Sequence, residues 1–217
     1  MKKWILYALV LPCLCKGDIV FTSYNGDLTP AFPSNEFTLD MNNDSAPEFK
    51  FSAVMDAPLY SVYVECFESG AVLFPRQLGV ISVVAIQKDS LIGSGELGGS
   101  ARWDTTLGIL SHSDLIFPTG SIKGGPFWET NAYLGVSLTI NKNTHYGWIQ
   151  IDNPSAFPGG TITGFAYENT PNTSIIAGAI PEPSSMILFI VGVTGIWSLW
   201  KGKREKGSVR LNHYSVF

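Results

Sequence analysis

Apolar and polar residues alternate along most of the chain with a period of two, which predicts β-strands rather than helices. Clusters of Gly, Pro, Asn and Ser separate the alternating runs, and such clusters are typical of turns. The pattern predicts one all-β domain over residues 18–168, an antiparallel β-sandwich or jelly roll. The runs rich in Val, Ile, Tyr, Phe and Thr are DIVFTSY, PEFKFSAVM, LYSVYVECF, VISVVAIQ, YLGVSLTI, HYGWIQI and TITGFAYE.

The clearest hairpin joins YLGVSLTI to HYGWIQI through a polar four-residue loop, Asn141–Thr144. The glycine-rich stretch GSGELGGSARWDTTLG predicts a long surface loop or a pair of irregular edge strands. Gly93, Gly95 and Gly98 in this stretch match G-x-G-x-x-G. A dinucleotide turn also needs a helix that opens at the last glycine, and no apolar helical stripe follows it, so we do not interpret the match as a cofactor site.

The first 17 residues have the features of a secretory signal peptide. Two lysines precede the short apolar stretch Trp4–Leu14, and small residues before Asp18 suit cleavage by signal peptidase. Cleavage there removes two of the three cysteines, so no intramolecular disulfide can form. The remaining Cys66 lies in a strand-like run, where we expect it to be a small buried hydrophobic residue.

A second apolar segment lies near the C-terminus. Ser184–Trp200 is an uncharged stretch of seventeen residues, and as a helix it would measure about 25 Å against a hydrocarbon core of about 30 Å. By the positive-inside rule, the basic residues that follow place the last segment, 207–217, in the cytoplasm. The sequence thus predicts a single-pass inner-membrane protein with a transmembrane helix over 184–200 and the β-domain outside. The basic cluster consists of Lys201, Lys203, Arg204 and Lys206.

The residues from Pro181 to Lys206 resemble the PEP-CTERM sorting signal of Gram-negative bacteria. Pro181, Glu182 and Pro183 supply its motif, ahead of the membrane-length segment and the basic cluster. The resemblance implies an exosortase-type processing enzyme as partner, which cuts at or near Pro-Glu-Pro and delivers the domain to the cell envelope or to extracellular polysaccharide. The stretches HYGW, AYENTP and IIAG also look like the closing strands and linker that often precede this signal. We interpret 169–180 as a polar linker that needs no ordered structure.

Between its two ends the chain is strongly acidic. Residues 18–180 hold six Lys and Arg against sixteen Asp and Glu, whereas the whole chain has a net charge of −4. An acidic surface repels phosphate backbones, so nucleic acid is excluded as a partner. Exopolysaccharide is the ligand class that this destination suggests, and three tryptophans could stack on sugars, although packing in the core or in a hairpin is the simpler role for each. They are Trp103, Trp128 and Trp148.

The chain offers little that predicts catalysis. His112-Ser113-Asp114 has the residue types of a hydrolase triad, but adjacent side chains need not converge, and a loop is the simpler interpretation. The many acids permit a glycosidase carboxylate pair, which sequence alone cannot show. Two classes therefore stay open: a non-catalytic surface or matrix protein, which we favour, and an exported glycan-acting hydrolase.

The stretch FTLDMNNDSAPEFKF has the spacing of a metal-binding loop. Asp40, Asn42 and Asp44 stand at alternate positions and Glu48 at place nine, and calcium takes oxygen ligands in such loops. The stretch resembles the D-x-N-x-D-G-x-x-D loops of FG-GAP-like exported β-proteins more than an EF-hand, although Ser45 replaces the usual glycine at place six. Two interpretations stay open: a Ca²⁺ site formed by these four residues, or a hairpin loop whose Asp and Asn side chains cap backbone amides.

Overall fold

The computed structural model describes residues 18–56, 59–76, 82–95, 100–116, 120–154 and 157–181. Within these residues all regular structure is β-strand, which confirms the predicted all-β class. The strands are β1 (Ile19–Asp27), β2 (Asn35–Leu39), β3 (Phe49–Asp56), β4 (Leu59–Cys66), β5 (Gly70–Pro75), β6 (Ala85–Ile86), β7 (Leu91–Ile92), β8 (Ala101–Asp104), β9 (Gly108–Ile116), β10 (Gly120–Gly124), β11 (Thr130–Ile140), β12 (Asn143–Asn153), β13 (Thr161–Glu168) and β14 (Ile175–Ile176).

The strands form three antiparallel sheets. The first sheet has seven strands in the order β1-β13-β12-β11-β5-β8, with β6 also paired to β11. The second sheet has five strands in the order β10-β9-β4-β3-β2, and the third consists of β14 and β7 alone. The first and last long strands of the domain, β1 and β13, are therefore neighbours in one sheet.

The predicted hairpin between β11 and β12 is confirmed. Its ladder continues to the pair Ile140 and Asn143, so only two residues form the turn instead of the four expected. Both turn residues, Asn141 and Lys142, have positive φ, 51° and 65°. Two-residue turns with this backbone match the twist of the flanking strands, which explains why the ladder closes so tightly.

One central core draws on both large sheets. Phe49 and Val62 from the second sheet belong to the same buried cluster as Leu134 and Ile149 from the first. Side chains on the other face of the first sheet belong to a second apolar cluster, which includes Trp148. Because both faces of the central strands are covered, burial in β11 and β12 does not alternate, and five consecutive residues of each strand are buried.

The segment predicted as a linker, 169–180, is packed against the domain. Within it β14 pairs with β7, and Ile175 and Ala177 are buried in the second apolar cluster. The N–H of Asn169 donates to the carbonyl of Asp18 at 2.9 Å. The packed structure thus continues past the predicted boundary at residue 168, and the compact unit that holds the described residues ends at Pro181.

Two other predicted stretches turn out shorter or more regular than expected. In VISVVAIQ only Ala85 and Ile86 form a strand, β6, and residues 77–81 lie outside the described residues. In the glycine-rich stretch, β8 pairs with β5 and forms one edge of the first sheet. The prediction for this stretch was a long surface loop or a pair of irregular edge strands, and its described residues form one edge strand, β8.

Candidate metal centre

The loop of residues 40–48, here called the acidic loop, connects β2 to β3 in the second sheet. It is closed by the pair Leu39 and Phe49 and by the N–H of Glu48, which donates to the carbonyl of Leu39 at 3.0 Å. Asn43 and Ser45 have φ of 60° and 73°. Ser45 therefore makes the left-handed turn that glycine usually makes at this place of a calcium loop, with its side chain present.

Side chains of the loop accept hydrogen bonds from its own backbone. Asp40 accepts from the N–H of Ser45 at 2.8 Å and of Asp44 at 3.2 Å. Asp44 accepts from the N–H of Ala46 at 2.8 Å, and Asn42 from that of Asp44 at 2.9 Å. These are the caps that the hairpin interpretation predicts. They do not exclude an ion, because each carboxylate oxygen has more than one lone pair.

Glu48 differs from the other acids of the loop because its side chain is 0% exposed. Its Oε2 accepts from the N–H of Met41 at 2.8 Å. Its Oε1 is buried and has no hydrogen-bond partner within the part of the chain that the structure describes. A buried carboxylate oxygen without a partner is costly, so this atom is suited to bind a cation or to carry a proton.

The electrostatics of Glu48 agree with this geometry. Burial raises the pKa of Glu48, the amide of Met41 opposes the rise, and the negative charges of Asp40 and Asp44 add to it. Without a counter-ion the charged carboxylate is therefore unfavourable in this position. A divalent cation would reverse that preference by supplying positive charge at the site.

The structure brings three of the four predicted ligands together. One carboxylate oxygen from each of Asp40, Asp44 and Glu48 lies within 4.8 Å of the other two. Asn42 contacts Asp44, to whose Oδ2 its side-chain amide donates at 3.0 Å. A set made only of oxygen atoms suits a hard cation, and Ca²⁺ completes its shell of six to eight ligands with backbone carbonyls and waters.

Two features that support the site could not be read from ligand spacing. The amide of Met41 positions Glu48, and Gly70 of β5 lets the backbone of Glu48 approach closely. A Cβ on Gly70 would stand 2.6 Å from the carbonyl oxygen of Glu48. The only signal in the sequence is the glycine itself, since a glycine at the start of a strand often marks a close approach of another backbone.

The geometry is that of a β-hairpin loop in which the carboxylate oxygens of Asp40, Asp44 and Glu48 lie close together. Comparison of the chain with protein-family models, with curated proteins and with solved structures finds no match in any of the three. The chemistry of the acidic loop is therefore inferred from its own residues and their contacts.

Most of the predicted sorting signal falls outside the described residues. Pro181 is the last described residue, whereas Glu182, Pro183, the predicted membrane segment 184–200 and the basic cluster Lys201, Lys203, Arg204 and Lys206 lie beyond it. The predicted signal peptide, residues 1–17, and the predicted tail, 207–217, also lie outside. Among the residues that the structure does describe, no helix is long and apolar enough to cross a membrane.

The residues of the triad-like motif do not share one face. His112 lies opposite Ser61 and Ser113 lies opposite Tyr60 on β4, and successive residues of a strand point to opposite sides of the sheet. His145 instead places Nδ1 2.9 Å from the carbonyl oxygen of Glu168, which is a structural contact. These histidines therefore do not support catalysis.

The three tryptophans proposed for sugar stacking have packing partners. Trp148 is buried in the second apolar cluster, which leaves no ring face for a sugar. Trp103 stacks on Tyr146 with ring centroids 5.6 Å apart. Trp128 is half-buried, and the Nζ of Lys123 lies 5.5 Å from the centre of its ring.

Proposed function

We propose that this chain is an exported cell-envelope or extracellular-matrix protein, sorted through a C-terminal signal of the PEP-CTERM type, whose acidic β-domain is stabilised by Ca²⁺. The observation that carries the calcium assignment is the buried, unpartnered Oε1 of Glu48 beside the carboxylates of Asp40 and Asp44. The export assignment follows from the signal-like N-terminus and the ordered motif, membrane segment and basic cluster near the C-terminus. The two assignments agree, because millimolar calcium is typical outside cells and suits weak extracellular sites.

In this proposal the exported domain is a β-sandwich. Its support is the central core, to which both the seven-stranded and the five-stranded sheet contribute side chains. Stacked antiparallel sheets bury such a shared layer between their inner faces. The acidic loop then lies at a connection of the second sheet, with the buried Glu48 directly before the core residue Phe49.

The processing enzyme in this proposal is an exosortase-type enzyme of the inner membrane, which acts at or near Pro181-Glu182-Pro183. The support from the fold is that the compact unit ends at Pro181, the first residue of the motif. A processing enzyme needs its substrate in an accessible segment, and Pro181 is exposed.

The acidic cluster does not favour the glycan-hydrolase alternative. A glycosidase needs two carboxyl groups open to a cleft that admits a sugar. Glu48 is fully buried and its Oε2 is bonded to the Met41 amide, so it cannot reach a glycan. The cluster is better suited to a structural cation.

Calcium binding is tested by thermal unfolding of the chain in Ca²⁺, in Mg²⁺ and in chelator. Calcium should raise the melting temperature by mass action, and Asp40→Ala combined with Asp44→Ala should abolish that rise. Asp27→Ala is the matched control, because Asp27 also caps a backbone amide, that of Thr29 at 2.8 Å, outside the cluster. It should lower stability equally with and without calcium, and an unchanged chain that calcium does not stabilise would contradict the site.

Sorting is tested in a host that has an exosortase. Pro181, Glu182 and Pro183 are replaced by alanine in a chain tagged within the domain, and its size and fractionation are compared with those of the unmutated chain. The unmutated chain should be processed and leave the inner membrane, whereas the variant should stay there at full length. The sorting proposal is wrong if both chains remain full length in the inner membrane.

A further inference from the structure

The third sheet carries apolar residues on both of its sides. Ile92 and Ile175 face inward and are 0% and 2% exposed in the second apolar cluster. Leu91 and Ile176 lie directly opposite one another on the outer side, 61% and 46% exposed. Ile180, which follows shortly along the chain, is 53% exposed.

This outer surface, here called the aliphatic edge and made of Leu91 and Ile176 with Ile180 four residues further along the chain, is unlike the strongly acidic domain around it. A cross-strand pair of exposed aliphatic residues costs hydration free energy unless something covers it. The exposed charges next to it, Lys88 and Asp89, have opposite sign. Apolar contact rather than net charge is therefore what this surface offers to a partner.

The position of the aliphatic edge along the chain indicates what covers it. Only three residues separate Ile180 from Ser184, where the predicted membrane segment begins. Four fully extended residues span at most about 14 Å. The headgroup layer on each side of a bilayer is about 5 to 8 Å thick, so a chain whose membrane segment begins at Ser184 keeps Ile180 no more than about 6 to 9 Å beyond that layer.

We propose that, before processing, the aliphatic edge rests on the lipid interface of the membrane in which the chain is anchored. The inference rests on the proposed membrane anchor and adds a contact between the domain and phospholipid. Leu91 and Ile176 insert among the headgroups and upper acyl chains, and the stem of Lys88 can extend its charge toward phosphate. Zwitterionic lipid is sufficient for this contact, because the charges beside the edge balance.

The contact is tested with the full chain in phosphatidylcholine vesicles. Cys13, Cys15 and Cys66 are replaced by Ser, and an environment-sensitive fluorophore is attached through Ser94→Cys, an exposed position two residues beyond β7. Thr38→Cys, exposed on the edge strand β2 of the second sheet, carries the control label. Lipids spin-labelled near the headgroup should quench the label at 94 several-fold more than the label at 38.

Replacing Leu91 and Ile176 by Ser should remove the excess quenching at position 94 without changing the melting temperature, because both side chains are exposed. A chain that resists carbonate extraction is integrated in the bilayer. If the labels at 94 and 38 are quenched equally in such a chain, the lipid contact is wrong and the proposed anchor stands. A chain that carbonate extracts would overturn the anchor and the contact together. A chain that elutes as a dimer, with no quenching at 94, would assign the edge to a second copy and overturn the proposal.

Discussion

Gly70 and Glu48 are so close that a Cβ on Gly70 would stand 2.6 Å from the carbonyl oxygen of Glu48 and 3.2 Å from its Cβ. Gly70 begins β5 of the first sheet, and Glu48 ends the acidic loop of the second. The N–H of Phe67 also donates to the carbonyl of Glu48 at 2.9 Å. The backbone of Glu48 is thus held in place by backbone from a different part of the chain, whereas its carboxylate is bonded to the Met41 amide of the loop.

Gly70→Ala should destabilise the domain by about 1–3 kcal/mol, because the added methyl group overlaps backbone that cannot rotate away. It should also raise the calcium concentration that gives half of the maximal stabilisation, since Glu48 is displaced. Urea unfolding with and without calcium measures both effects. Gly95→Ala is the control, because nothing lies within 4 Å of a Cβ there. Equal losses for the two variants would contradict the close approach.

Glu48→Gln should have opposite effects with and without calcium. Burial raises the pKa of Glu48 above its ordinary value of 4.5. Without calcium the folded protein should therefore lose stability as the pH rises from 4.5 through the raised pKa. The variant removes the charge, so in chelator at neutral pH it should unfold at a higher temperature than the unmutated chain. In calcium the order should reverse.

Melting curves across pH, in chelator and in calcium, measure this reversal. Two results would count against it: a variant that is less stable than the unmutated chain in chelator at neutral pH, or one that calcium still stabilises. Glu36→Gln is the control, because Glu36 is exposed and forms an ion pair with Lys50 at 2.9 Å on the second sheet. It should leave the stabilisation by calcium unchanged.

Ser45→Gly should stabilise the acidic loop by up to about 1 kcal/mol. Ser45 has a φ of 73°. The free-energy cost of this left-handed conformation is higher for a residue with a Cβ than for glycine. Ala46→Gly, one residue further along, has no positive φ to relieve and should be neutral or destabilising. Chemical denaturation of the two variants gives the comparison. The same sign of change in both would show that φ at residue 45 does not limit the loop.

Cys66 should react slowly with alkylating reagents in the folded protein. Burial, helped by the charge of Asp104, raises the pKa of its thiol to about 12. Since the thiolate is the reactive form, labelling at neutral pH should be about 10²-fold or more slower than in denaturant. Mass spectrometry of the peptide that contains Cys66 measures this rate separately from the other cysteines. Cys66 is partly buried against the central core, and equal rates in folded and unfolded protein would contradict that position.

The strands were predictable from sequence where one period dominates several residues, as in TITGFAYE or the hairpin around Asn141. The prediction failed where burial came from distant contacts. Val83 and Ile86 in VISVVAIQ enter different apolar clusters, so their apolarity reflects packing and not a long ladder. Ile175 and Ala177 lie in a polar stretch, and a two-residue strand such as β14 is too short to show a period.

Only part of the candidate site could be predicted from the sequence, again because some of its contacts are distant along the chain. The spacing of Asp40, Asn42 and Asp44 placed oxygen atoms in one loop, but the same atoms serve backbone caps and metal ligands alike. The burial of Glu48 is what favours a cation, and it depends on β5 and on the central core. Tyr167 on β13 is affected by the charge of Glu48. Burial raises the pKa of Tyr167, and the negative carboxylate of Glu48 adds to the rise. The residues next to Glu48 in the sequence do not reveal these contacts, because they come from strands far away along the chain.

The pairing of β1 with β13 sets the order in which an exported chain can assemble. β1 would leave the translocation channel first, yet its partner in the ladder, from Thr161 to Glu168, would leave almost last. The first sheet cannot close while most of the domain is still inside the cell, and a topology dominated by such distant pairs folds slowly. If the chain is exported as proposed, the first sheet can therefore close only after β13 has reached the far side of the membrane.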